Sequence, residues 1–357
     1  MRRKNFIIVF LMSAFLLGVS LWNAIAETPE YSESERRLLA KFPQITLESV
    51  MNGEFAKDFE EYSVERFPVR DVWRRMKAYT RTVLFAQKDN HDIYTAEGHI
   101  SKLEYPMNTD MADYALKLLS KVNEKYLHDN KIYFSIVPDK NRYLADENGY
   151  LSIDYQAFSE YMKEGMDFAK YIEIADLLKQ SDYYYTDTHW RQEALLDVAE
   201  RIATTMGTDI SQKYSKVILE KPFNGVYLGQ SALAHEPDVI TYLDSEILRR
   251  VKVEGANAVY DMEKANGRDP YEMFLSGNQP IVTIRDEENS SGKRLIMFRD
   301  SFGSSIAPLF TAGYSEIVLV DLRYIGSDML GQYVDFRGAD ILFIYSTLLL
   351  NNSLAMK

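Results

Sequence analysis

The run Leu295-Ile296-Met297-Phe298 stops abruptly at Arg299-Asp300-Ser301-Phe302-Gly303, and Ile306 to Phe310 begins a second apolar stretch. Four apolar residues in a row leave no polar face, so the run reads as a strand covered on both sides. A tight turn between such a strand and a helix lifts one side chain out at the carboxyl edge of a sheet. Open α/β sheets place their ligand sites at that edge. The side chain lifted out here is Ser301. A lone serine hydroxyl is a poor nucleophile, so the chain must also supply a base and a group to orient it. Asp187-Thr188-His189-Trp190 contains both residue types.

From Asp92 onward the chain repeats the same alternation. Lys131 to Val137 is a near-continuous apolar strand ending at Pro138, and Glu316 to Leu322 and Ile341 to Tyr345 are two more. Met111 to His128, Phe158 to Met166 and Gln192 to Met206 have helical spacing, with Leu116, Leu119, Val122 and Tyr126 on one side of the first. Helices between fully apolar strands predict an α/β fold: a parallel sheet with helices on both faces. The Asp-Thr-His-Trp segment then lies in a loop feeding a helix N-terminus. Asp139-Lys140-Asn141-Arg142 lies in a loop at a strand's carboxyl end. Ile93-Tyr94 and His99-Ile100 flank Glu97-Gly98 as a hairpin, and Tyr171 to Ile174 reads as a short strand. Pro280 to Ile284 is a strand separated by a polar turn from the one that leads to Ser301. Residues 215–290 as a whole read as a β-rich insertion that shapes a substrate surface.

Arg2, Arg3 and Lys4 precede an uncharged run from Phe6 to Trp22, and Ala24-Ile25-Ala26 follows. This is the basic, apolar, small-x-small order of a secretory signal. The run also falls within the roughly 17–25 residues that span a bilayer. Residues 1–26 are thus either a signal peptide cleaved after Ala26 or a retained signal anchor, and both place the remainder outside the cytoplasm. Residues 27–90 read as an exposed helical neck. Ser32 to Glu35 has capping-box spacing. Phe55, Phe59, Tyr62, Phe67, Val72, Trp73 and Met76 recur at roughly helical period, broken at Pro68. Residues 91–357 form the main domain. A net charge of −12 offers no cation cluster for nucleic-acid phosphates, and the absence of cysteine excludes disulfides, thiol catalysis and Cys-based zinc sites.

Acyl transfer through serine needs a hydroxyl, a base and a carboxylate that fixes the base's tautomer. Asp187 and His189 lie two apart in one loop, so the aspartate can accept from one ring nitrogen while the other points outward. Ser301, at a helix start, has backbone N–H groups aimed where a tetrahedral oxyanion would form. Plainer uses exist for the same residues. Asp300 and Asp187 both suit helix N-caps, worth about 1 kcal/mol each, and His189 suits a structural role. Two such motifs at carboxyl-edge loops of one α/β domain favour catalysis. Asp-x-His also serves metals, but no second histidine cluster accompanies it, so neither a metal nor a cofactor is expected.

The pairing of Asp187-x-His189-Trp190 with a later Asp300-Ser301-Phe302 resembles the alginate-acetylation proteins (the AlgJ and AlgX type) and their DHHW relatives in the SGNH-hydrolase superfamily. The neck is similar too, at Ser34-Glu35-Arg36-Arg37-Leu38-Leu39-Ala40-Lys41-Phe42-Pro43, Gly53-Glu54-Phe55 and Arg66-Phe67-Pro68-Val69-Arg70-Asp71. The resemblance implies a three-layer α/β/α SGNH-hydrolase-like domain with Ser301 as nucleophile, His189 as general base and Asp187 as its orienter. It implies that Trp190 packs against the histidine or a sugar. It also puts Arg323, just after the strand ending at Leu322, and Lys140, after the strand ending at Val137, at substrate-binding positions. The implied activity is O-acetylation of a secreted or cell-surface polysaccharide through an acetyl-serine, beside a membrane-bound O-acyltransferase that supplies the acetyl groups. A carbohydrate acetylesterase with the same triad remains an alternative, as does a non-catalytic glycan-binding scaffold for the membrane acyltransferase. One position departs from the family's Gly-Asp-Ser: Arg299 stands where the glycine would permit close approach or an unusual dihedral. Asn141 and Asn224-Gly225 are the candidate oxyanion donors.

Overall fold

The computed structural model describes residues 2–357. The chain divides into two compact units, one of residues up to Asn90 together with Leu228–Ala234, the other of His91–Tyr227 and His235–Lys357. The first unit opens with helix α1 (Arg2–Ile25), of which Arg3–Ile25 is long and apolar enough to cross a membrane. Strands β1 (Tyr31–Ser32) and β2 (Arg37–Leu38) then pair antiparallel, so the capping-box spacing at Ser32 starts no helix. The Ser32 hydroxyl does accept from the Glu35 N–H at 3.2 Å, but it closes a hairpin turn in which Arg36 has φ 54°. The Glu35 carboxylate, which would complete a capping box, is drawn instead to Arg70 and Arg74 at 2.6 and 3.3 Å. Helices α2 (Leu47–Met51), α3 (Glu54–Glu65) and α4 (Arg70–Tyr79) follow, the last two separated at Pro68. Phe67 in that break packs edge-on against both Trp22 of α1 and Trp73 of α4.

The second unit starts with the hairpin β3 (Ile93–Ala96) and β4 (His99–Lys102). Its turn residues Glu97 and Gly98 both have positive φ, 49° and 77°, the combination that a tight hairpin turn requires. The chain then runs through α5 (Thr109–Tyr126), β5 (Lys131–Val137), α6 (Asn141–Leu144), α7 (Tyr155–Gly165), β6 (Lys170–Tyr171) and α8 (Leu196–Thr205). Next come β7 (Ser215–Phe223), α9 (Val226–Ser231), β8 (Asp238–Asp244), α10 (Glu246–Arg250), β9 (Lys252–Glu254), α11 (Met262–Ala265) and β10 (Ile281–Arg285). The last elements are β11 (Arg294–Arg299), α12 (Ser301–Ile306), β12 (Glu316–Val320), β13 (Asp340–Ser346) and α13 (Thr347–Leu350).

Seven strands form the central sheet in the order β6-β5-β13-β11-β12-β10-β9. The pairings from β6 to β12 are parallel, and β10 and β9 complete the sheet antiparallel. Alternate residues of β11 enter different layers, as a pleated strand demands. Leu295 and Met297 pack in one cluster with Val198 and Ile202 of α8, while Ile296 and Phe298 pack in another with Leu119 of α5 and Phe158 of α7. Each such side chain contributes about 1.5–3 kcal/mol by leaving water. The result is a mostly parallel sheet between two helical layers. Residues 215–290 are not a separate β-rich insertion, because only β7 and β8 form their own antiparallel pair. β9 and β10 belong to the central sheet, where Val282 and Ile284 turn inward to the core. The 139–142 segment is likewise not all loop, since α6 begins at Asn141.

The chain leaves β11 for β12 on one side and returns to β13 on the other. The carboxyl end of β11, where Ser301 begins α12, is therefore the topological switch point of the sheet.

Candidate active site

Asp300 fixes the turn at the end of β11. One carboxylate oxygen accepts from the Phe302 N–H at 3.0 Å, and the other accepts from the N–H and hydroxyl of Ser346 at 2.9 and 2.5 Å. One side chain thus caps α12 and ties it to the end of β13. Arg299, where the resembled Gly-Asp-Ser motif has glycine, leaves this turn undisturbed, because it is the last residue of β11 in ordinary extended pairing with Ile344. The close approach falls to Gly303 instead: a Cβ there would sit 2.4 Å from the Arg299 Cβ.

The loop from Tyr183 to Trp190 closes on itself by an antiparallel bridge between those two residues. It then attaches to α12 through side chains. The Trp190 indole N–H donates to the Ser305 hydroxyl at 2.9 Å and to the Phe302 carbonyl at 3.1 Å, and Gln192 donates to the Ser305 carbonyl at 2.7 Å. These bonds bring the two distant motifs together. The His189 Nε2 lies 2.8 Å from the Ser301 Oγ, and its Nδ1 lies 2.6 Å from the Asp187 Oδ1. With the proton on Nδ1, the ring donates to Asp187 and accepts from the serine. Asp187 is itself held in place, accepting the His189 N–H at 3.0 Å and the Val226 N–H at 2.8 Å. The carboxylate and the indole are buried, whereas the His189 side chain is 13% exposed and Ser301 is partly exposed, so the reactive end faces solvent.

Several expected roles change. Trp190 has no exposed surface and packs edge-on against Phe302, so it touches neither a sugar nor the imidazole; its part is to join loop and helix. Lys140 is 1% exposed and donates to the carbonyls of Tyr184 and Tyr185 at 2.8 and 3.1 Å, so it braces the loop rather than meeting a substrate. Burial pushes its ammonium down to about 7, against the opposing pull of Asp187, Asp238 and Asp139. Arg323 is partly exposed at the carboxyl end of β12, held bidentate by Asp321 at 2.9 and 2.7 Å. Asn141 is buried between the hydroxyls of Tyr94 and Tyr155 and offers no oxyanion donor. The Gly225 N–H is likewise occupied, donating to the Thr186 hydroxyl at 2.8 Å. At the start of α12, the N–H groups of Phe302 and Gly303 are both taken by Asp300. The Ser301 N–H has no acceptor among the described residues.

Three residues that the motifs do not announce complete the arrangement. The Tyr271 ring stacks on the His189 imidazole with centroids 3.9 Å apart and planes 13° from parallel. Its hydroxyl donates to Ser305 at 3.0 Å. Asp238 on β8 accepts the N–H groups of Tyr185 and Thr186, both at 2.7 Å, just ahead of Asp187. Gly225 lets its segment lie against that loop, because a Cβ there would be 2.3 Å from the Asp187 nitrogen. A Gly beside an Asn was visible in the sequence, but its purpose was not.

No family model matches the chain, and no curated protein matches it. Solved structures do. A DHHW family protein from Eubacterium siraeum is 20% identical over 74% of this chain and 92% of its own, with a TM-score of 0.58. Bacillus cereus PatB1, solved with a sulfonyl adduct, is 17% identical over 72% of this chain and 95% of its own, with a TM-score of 0.56. The O-acetyltransferase domain of Pseudomonas putida AlgJ matches more loosely, at 12% identity over 72% of this chain and 92% of its own and a TM-score of 0.45. The chain therefore has the fold that the DHHW family protein and PatB1 share.

Proposed function

We propose that this chain is an O-acetyltransferase that carries an acetyl group on Ser301 and passes it to a hydroxyl of a polysaccharide outside the cytoplasm. The observation that carries this reading is the continuous hydrogen-bonded line from Asp187 through His189 to Ser301, with links of 2.6 and 2.8 Å. In the first half-reaction the Ser301 proton passes to His189 Nε2 as the oxygen attacks the donor's acyl carbonyl. Asp187 keeps the other nitrogen protonated and stabilises the imidazolium. The Ser301 N–H is the available donor for the oxyanion, and His189 returns its proton to the leaving group as the intermediate collapses. In the second half a sugar hydroxyl gives its proton to Nε2 and attacks the acetyl-serine, and Ser301 leaves and recovers the proton. The partly exposed histidine and serine suit an acceptor too large to be enclosed. A membrane-bound O-acyltransferase as acetyl supplier, with α1 as the tie to the membrane, completes the proposal.

PatB1 in a sulfonyl-adduct form suggests the probe. Treating the full chain with a sulfonyl fluoride should add one label, at Ser301, and His189→Ala should slow labelling by at least a hundredfold, in line with the weakness of an unassisted serine. Labelling elsewhere, or at Ser301 with no dependence on His189, would leave a non-catalytic glycan scaffold as the better account.

A further inference from the structure

Beyond the triad, the second unit has a recess of about 580 Å³ between the loop after β4 and the end of α13. Its size is in the range of small-ligand sites, roughly 300–1,000 Å³. The lining includes Lys102, Glu104, Tyr105, Asn108, Leu151 and Asn352. Glu104 is the unusual member, because the residue is 5% exposed yet lines the recess. One of its oxygens accepts from Asn351 at 2.5 Å and from Asn352 at 3.4 Å. The other has no hydrogen-bond partner among the described residues, and Glu104 lines the recess. That oxygen is free to accept a hydrogen bond from a ligand hydroxyl that enters the recess.

The surroundings hold the carboxyl group rigidly. Buried Asn351 accepts from the Asn108 N–H at 2.7 Å while donating to Glu104, and the Glu104 carbonyl accepts from the Ile153 N–H at 2.8 Å. Around the rim, Tyr105 and Leu151 are exposed apolar surfaces, and Asn108 and Asn352 add exposed amides. Apolar walls with a few fixed polar groups suit a sugar ring, which has apolar faces and hydroxyl edges. Burial raises the Glu104 carboxyl above its usual range, and Lys102 pulls the other way, so a neutral hydroxyl fits better than a cation.

The recess also lies at the working edge of the sheet. Asp300, beside the proposed nucleophile, is bonded to Ser346, and Ser346 caps α13, whose four residues are followed by Asn351. Those five residues at about 1.5 Å rise span on the order of 8 Å. We propose that this recess is a subsite for a neutral sugar ring of the acceptor polysaccharide, with Glu104 accepting from a ring hydroxyl and Tyr105 forming an apolar wall. It rests on the acetyltransferase reading for its purpose but not for its test.

The full chain is titrated with neutral tetrasaccharides of glucose, mannose and N-acetylglucosamine, followed by saturation-transfer NMR. The same samples are scored for sulfonyl labelling of Ser301. At least one tetrasaccharide is expected to bind, and Glu104→Gln, which keeps an acceptor for Asn351 but turns a donor into the recess, should weaken it at least tenfold. Tyr105→Ala, at a residue 57% exposed, should weaken it as well, with the melting temperature of the variant checking that it folds. Labelling should be unchanged in both variants. Failure of all three sugars to bind at millimolar concentration, or equal binding by both variants, overturns the subsite. Loss of labelling in the unmodified chain would instead overturn the acetyltransferase reading.

Discussion

The imidazole of His189 is held from three directions: by Asp187 at one nitrogen, Ser301 at the other and the Tyr271 ring across its face. The Tyr271 stack fixes the plane of the ring in which the two hydrogen bonds run. The position of Asp187 depends in turn on Gly225. Gly225→Ala would drive a methyl group into the Asp187 backbone, and a displacement near 1 Å costs about a hundredfold in rate. Sulfonyl labelling of Ser301 in that variant should therefore slow by about that factor while the fold survives; unchanged labelling would show that the loop gives way without consequence. The convergence of Asp187, His189 and Ser301 was legible because their residue types and spacing suggest one hydrogen-bonded line. Tyr271 and Asp238 were not, because each comes from a different segment and nothing local marks it, and Gly225 was singled out for the oxyanion rather than for its close approach to the Asp187 backbone. Trp190 and Lys140 were placed in the right neighbourhood with the wrong task, since nearness to a motif says nothing about burial.

At the scale of elements, the ends of β11 and β12 enclose a charge cluster. Arg299 is fully buried, donates to Asp321 at 3.2 Å, and leaves two of its nitrogens without partners, while Arg323 holds Asp321 from the other side. Asp321→Ala strands that buried guanidinium and should cost about 3–5 kcal/mol. Arg299→Met leaves Asp321 paired with Arg323 and should be nearly neutral or stabilising. Chemical denaturation of the two variants decides it, and equal losses would mean that Arg323 does not compensate. The end of β5 gives a pH signature. Burial, with Glu104 adding to it, pushes Asp139 up from 3.8 to about 7. Across that window the folded chain keeps a proton that the unfolded chain has lost, so this contribution is full below pH 4 and fades as pH rises to 7, by at most about 4 kcal/mol. Lys140 is lowered from 10.5 to about 7, so its cost to folding is greatest at low pH and is relieved as pH climbs from 7 towards 10.5. Together they predict a dip in melting temperature near neutrality, and Asp139→Asn should remove its acid-side limb. A flat profile shared by both proteins would contradict this. The central strands were readable because burial on both faces writes an unbroken apolar run. β10 was read as a strand from its apolar run, but its place beside β12 was not, because an antiparallel strand looks the same whether it joins the main sheet or a separate one.

For the whole chain, the N-terminal segment left two fates open, and the proposed tie of α1 to the membrane chooses retention. The expected result is a full-length chain that stays with membranes through an alkaline wash; a soluble chain beginning near Glu27 would show cleavage. The segment around Ser32 was unreadable as a hairpin because its local spacing matched a helix start, and Glu35 is drawn away by Arg37 and by the distant Arg70 and Arg74. The sheet carries its own consequence. Its rims are β6 and β9, two and three residues long, while β11 sits in the middle of the seven strands. Warming should therefore fray the margins first, leaving a molecule that has lost part of its outline and can still take a label at its centre.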